Sequence, residues 1–107
     1  MVFTVNGIQW EIVNCNPSSD NLRRSDNSIT LGVTDNNVKT VYMNSRLNDY
    51  MYDKVLCHEL VHVFCFEFGY VLDIETEEII ADFMSLYGRD IVYLLDDIIG
   101  ILKKRAV

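Results

Sequence analysis

The chain holds two histidines, four positions apart, in the run His58-Glu59-Leu60-Val61-His62. On a helix, residues so spaced share a face about 6 Å apart, so both imidazoles can reach one ion. Glu59 then lies beside that ion, where its carboxylate can take a proton from water. Metal-assisted hydrolysis is the chemistry such a set can perform. The local alternative is a strand, because Val61, Val63 and Cys65 alternate with His62, Phe64 and Phe66. In a strand the two imidazoles would be about 13 Å apart, too far to share an ion. No glycine or proline interrupts Leu47 to Phe68, and that length predicts a helix.

A catalytic zinc takes three protein ligands and keeps one position open for water. With no further histidine in the chain, the third ligand has to be a thiolate or a carboxylate. Cys65 falls on nearly the same face as His58 but a full turn beyond His62, and reads as a small core residue. Asp73, Glu75, Glu77 and Glu78 are all within reach in the segment that follows Gly69. Of the glutamates, only Glu78 has an acidic residue four positions on, at Asp82. Glu78 is therefore the expected ligand. Asp82 is the expected acceptor for the second ring N–H of a histidine ligand, a partner that offsets the cost of burying its charge. Glu75 and Glu77 read as solvated acids in the first turn of a helix.

The elements that must position these groups follow a strands-then-helices order, which predicts an α+β domain. Val2 to Val5 and Ile8 to Val13 are β-rich runs joined by Asn6-Gly7, a hairpin signal because both residues tolerate positive φ. Residues 14–28 are polar and read as a loop. Ile29 to Val33 and Val38 to Met43 read as strands around an Asp35-Asn36-Asn37 turn. A long helix from about Leu47 to Phe68 should end at Gly69. Two more are expected, one from Asp73 or Thr76 to Tyr87 before Gly88, and one starting near Asp90. The stripe Ile91, Leu94, Leu95, Ile98, Ile101 and Leu102 on that last helix reads as core, with Asp96 and Asp97 opposite. About three helices following a small antiparallel or mixed sheet, in one domain spanning 1–107, is the expected architecture.

Taken together, the paired motifs resemble a known family. His58-Glu59-x-x-His62 followed by Glu78-x-x-x-Asp82 is similar to the gluzincin arrangement of metallopeptidases. Val38-Lys39-Thr40-Val41-Tyr42-Met43, then Leu56-Cys57-His58-Glu59-Leu60-Val61-His62, then Glu78-Ile79-Ile80-Ala81-Asp82-Phe83, resembles the ImmA/IrrE-type family, its small phage or prophage members above all. The resemblance covers residues 29–88. It implies a minimal zincin-like domain and a Zn2+-dependent endopeptidase held at His58, His62 and Glu78. Glu59 would be the general base, Asp82 would orient His58, and the substrate would be a protein such as a transcriptional repressor. The strand Val38, Lys39, Thr40, Val41, Tyr42 and Met43 is expected to be the sheet edge along which an extended substrate adds. Tyr50, Tyr52, Tyr70, Tyr87 and the arginines are open candidates for stabilising the oxyanion.

Composition excludes several other classes. Nine basic against sixteen acidic residues give a net charge of −7, which argues against nucleic acid as a partner. Lys103, Lys104 and Arg105 read as favourable charge at a helix C-terminus. The odd set Cys15, Cys57 and Cys65 argues against a disulfide framework and suits a reducing cytoplasm. Neither a secretory leader nor a membrane span is expected. The rival readings are a catalytically silent zinc-binding regulator of phage type and an interaction domain without metal.

Overall fold

The computed structural model describes residues 1–105, as a four-stranded mixed sheet followed by two long helices. Strands β1 (Val2–Val5), β2 (Ile8–Cys15), β3 (Gly32–Asp35) and β4 (Thr40–Asn44) lie in the order β1-β2-β4-β3. β2 runs parallel to β4, and the other two pairs are antiparallel. The β1–β2 hairpin closes on Asn6 and Gly7 with φ of 50° and 78°, the mirror-image turn whose twist suits flanking strands. Between β2 and β3 a single 3-10 turn at Asp20–Leu22 buries Leu22 completely.

Helix α1 (Asp49–Glu67) lies against the sheet and contributes Val63 to a core of Val5, Trp10, Val41 and Met43. Its start is capped by the Asn48 side chain, which accepts the Met51 N–H at 2.8 Å. Its end is a Schellman closure. Gly69 adopts φ 71°, Tyr70 N donates to Cys65 O at 2.9 Å, and Gly69 N donates to Phe66 O. The last turn is also fixed in azimuth. The buried Glu67 carboxylate accepts from Trp10 Nε1 at 3.1 Å and from Lys39 Nζ at 2.6 Å, while its carbonyl accepts from Asn6 Nδ2 at 3.0 Å. Strand residue and both hairpin turns thus hold α1 at one rotation about its axis. At β3, Gly32 lets α1 come close, since a Cβ there would sit 2.8 Å from Val55 Cγ1 and 3.1 Å from Glu59 Cγ.

Three sequence-based expectations need correction. Gly88 does not divide the last segment, because α2 runs unbroken from Ile74 to Arg105. Gly88 lies outside the positive-φ region, is buried, and is covered by the Met84 side chain of its own helix. There are two long helices and not about three. The stripe from Ile91 to Leu102 is not core either, since every residue from Arg89 to Arg105 is exposed.

The third correction concerns the sheet edge. Val38, Lys39, Thr40, Val41, Tyr42 and Met43 are not a border strand, because β4 is hydrogen-bonded to β2 on one side and β3 on the other. Val38 and Lys39 are spent on the turn, with Lys39 at φ 51° and Val38 exposed. The free edge beside α1 belongs to β3. No helix among the described residues is long and apolar enough to cross a membrane.

Candidate metal centre

His58, Glu59 and His62 all lie within α1, and Glu77, Glu78 and Asp82 lie in the first turns of α2. The two helices meet where Ala81 is fully buried. Asp73 starts α2 by accepting the Thr76 N–H and hydroxyl at 3.1 Å and 2.7 Å. One helical turn later, Glu77 and Glu78 arrive opposite the histidines.

The ring contacts assign the tautomers. His58 Nδ1 is 2.9 Å from Asp82 Oδ1, and His62 Nδ1 is 3.1 Å from Glu77 Oε2. A carboxylate at each Nδ1 keeps the proton there and leaves each Nε2 as a lone pair. Both lone pairs converge with a carboxylate. The two Nε2 atoms are 3.3 Å apart, His58 Nε2 is 3.1 Å from Glu78 Oε2, and His62 Nε2 is 2.9 Å from Glu78 Oε1. A divalent cation at that point would be attracted by all three groups at once.

The spacing suits a small tetrahedral cation. Ligand atoms about 2.0–2.1 Å from tetrahedral zinc lie about 3.3 Å from one another; the two Nε2 atoms are 3.3 Å apart, and one donor atom from each of the three side chains lies within 4.8 Å of the others. His58, His62 and Glu78 are the described group that can hold a metal ion. Mixed nitrogen and oxygen donors of this kind suit zinc or another first-row divalent ion.

Glu59 is not one of the three donors. It is 7% exposed, and the Thr34 hydroxyl donates to its Oε1 at 3.0 Å. The same hydroxyl lies 3.1 Å from the Glu59 carbonyl, so β3 fixes both ends of the residue. Burial pushes the Glu59 carboxyl above the ordinary glutamate range. His58, His62 and the Thr34 hydroxyl pull against that shift, and Glu78 adds to it. A carboxyl held in this way beside a cation site is suited to exchange a proton with water.

Two residues of the site escape the sequence reading. Glu77 is buried and bonded to His62, not solvated. Its signal was its line along the helix, four residues before Ala81 and eleven before Gly88, the small buried positions of α2. Thr34 carried no signal, because its role depends on β3 crossing α1. Glu75 is exposed, as is most of Asp82, whose side chain keeps 69% of its surface. Asp82 therefore meets His58 from the solvent side and is not a buried charge. Cys65 lies apart from the three donors, and burial together with the adjacent Glu77 carboxylate pushes its thiol up to about 11. At neutral pH it is a thiol and a poor ligand.

Glu77→Ala should weaken zinc binding by about 10–100-fold, the scale of a lost partner to a ligand histidine. Glu75→Ala should leave it within about twofold. A competition titration against a chelating dye reads both, and equal effects would mean diffuse electrostatics.

Two cavities, of about 400 Å³ and 450 Å³, meet at Gly32, His58 and Glu59. Arg24 lines both. It sits on a braced loop, where its N–H donates to Ser28 O, Asn27 N donates to its carbonyl, and Asp26 accepts from Ser28. The four tyrosines are placed otherwise. Tyr52 OH donates to Asn14, Tyr87 packs on Phe83, and Tyr70 lies with Phe64 in an apolar groove. Tyr50 borders a separate cavity with Asp53 and Arg89, which neither His58 nor Glu59 lines. A scan of protein-family models and searches of curated proteins and solved structures find no match to this chain, so its function is argued from the geometry of the site alone.

Proposed function

We propose that this protein is a zinc-dependent metalloendopeptidase of the gluzincin kind, similar in its motifs to the ImmA/IrrE-type family. The observation that carries the reading is the convergence of His58 Nε2, His62 Nε2 and Glu78 on one point beside the buried, unligated Glu59. Structural zinc sites use all four positions for protein ligands, and among the described residues three protein donors converge here.

In this account His58, His62 and Glu78 hold the ion, with Asp82 and Glu77 keeping the rings in the ligating tautomer. Zinc supplies Lewis-acid polarisation of a peptide carbonyl and makes water more acidic. Glu59 accepts a proton as water adds to that carbonyl, and returns it to the amine as the C–N bond breaks. The products are a carboxylate and an amine. The Thr34 hydroxyl holds Glu59 Oε1 in place through both transfers. Arg24, which lines both cavities that meet at His58 and Glu59, would face the developing oxyanion. The substrate lies extended along the free edge of β3, where Gly32 and Thr34 turn their backbone groups away from β4 and toward an added strand. A protein partner such as a repressor fits the resemblance, and a cytoplasmic setting fits the unpaired cysteines.

Arg24→Ala should lower kcat by about 10²–10³-fold with little change in zinc content, as for removal of one oxyanion donor. A loss in KM alone would make Arg24 a substrate-binding group only. The reading as a whole is tested by incubating the zinc-loaded protein with a peptide pool and sequencing the new termini by mass spectrometry. New internal cleavages should appear, stop on chelation and be absent with Glu59→Gln. Cleavage that persists in the Glu59→Gln protein would overturn the assignment.

A further inference from the structure

Helix α2 is longer than the surface that covers it. Its first half packs on α1, with the last ties at Gly88, which is buried, and at Arg89, which pairs with Asp53. Residues 90–105 then continue for about 24 Å at 1.5 Å per residue, which helps stretch the molecule to 57 Å against 31 and 28 Å. The apolar seam does not stop where α1 stops. Ala81, Met84 and Gly88 continue as Ile91, Leu95, Ile98 and Leu102, alternating steps of three and four residues as in packed helices. In the second half that seam faces no other element among the described residues, and every residue from Arg89 to Arg105 is exposed.

The exposed surface there is large. Nine large apolar side chains between Ile91 and Leu102 are each 39–60% exposed. They present on the order of 800 Å², where the largest apolar patch of a typical monomer is about 300–600 Å² and a stable interface takes about 800 Å² from each partner. The flanking charges choose the partner. Asp90, Asp96 and Asp97 precede Lys103, Lys104 and Arg105 on the same helix. Aligned in parallel, two copies would set like charge beside like. Aligned antiparallel about a two-fold axis, Ile91 meets Leu102 and Leu95 meets Ile98, so Asp90 of one copy lies by the basic end of the other. Three carboxylates along the segment also oppose docking on an anionic lipid surface.

We propose that the second half of α2 is a self-association surface, on which two copies of this chain dock antiparallel through Ile91, Leu95, Ile98 and Leu102. The zinc site lies on the first turns of α2 and the facing turns of α1, so association leaves it open.

Sedimentation velocity of the whole chain across the micromolar range tests this. The expected mass is twice that of one chain. Ile98→Asp with Leu102→Asp should give a monomer with unchanged zinc content, since these exposed side chains support no part of the monomer fold. Charge is tested separately. D90K should weaken the dimer about tenfold, and adding K103D with K104D should restore it. A monomer at every concentration would overturn the proposal, as would a dimer indifferent to both sets of changes. Binding of the monomeric wild-type chain to phosphatidylglycerol vesicles would assign the surface to lipid and overturn it too.

Discussion

Glu59→Gln is expected to lower peptide turnover by about 10²–10⁴-fold, the usual range for loss of a general base, while zinc content stays at the parental level. The two halves of that result come from separate features of the site. Glu59 contributes no donor to the His58–His62–Glu78 triangle, so the ion keeps its three ligands. Glutamine retains an oxygen to accept the Thr34 hydroxyl, so the residue keeps its position between β3 and α1. Only the capacity to take a proton is lost. Burial raises the parental carboxyl above the ordinary glutamate range, which makes its carboxylate the stronger base. The variant should also retain substrate, because strand addition along β3 needs no base. Steady-state rates and partner capture from one preparation read both effects. Full biological effect from a zinc-replete Glu59→Gln protein would mean that the protein acts by binding and is no peptidase.

Glu78→Ala should produce the largest loss of metal affinity, together with a loss of stability. Without the carboxylate, two nitrogens cannot hold zinc as three donors do. Zinc bound only by the folded chain adds RT ln(1 + [Zn]/Kd), about 4 kcal/mol at a thousandfold excess over Kd, and this contribution goes with the site. In the metal-free protein the same substitution should cost far less, since no bound ion is lost with it. Thermal unfolding with and without chelator therefore discriminates. The parent should lose stability on chelation and Glu78→Ala should be indifferent. A chelation shift that survives in Glu78→Ala would move the metal elsewhere.

Local chemistry was readable in the residues, and geometry that depends on crossing elements was not. Asn6-Gly7 set the first hairpin because two consecutive positive-φ positions admit few other residues. Gly69 was likewise readable as the stop of α1 from its place after an uninterrupted apolar run. The same rule failed at Gly88, where glycine serves packing under Met84 and not chain reversal. Residue type alone does not separate these uses. Thr40 to Met43 were readable as strand, but strand order was not, since β4 became internal only when β2 paired with it in parallel. Glu77 was misread as solvated because an acidic first turn is ordinarily exposed. Its burial depends on α1 lying across Ala81, a contact far away in sequence.

The stoichiometry of zinc on the purified chain, measured by elemental analysis after loading and desalting, tests the central claim most directly. One zinc per chain in the parent, falling to near zero in both His62→Ala and Glu78→Ala, is the result predicted by three donors converging between α1 and α2. Zinc near zero in the parent after loading, or one zinc per chain retained by both variants, would contradict it.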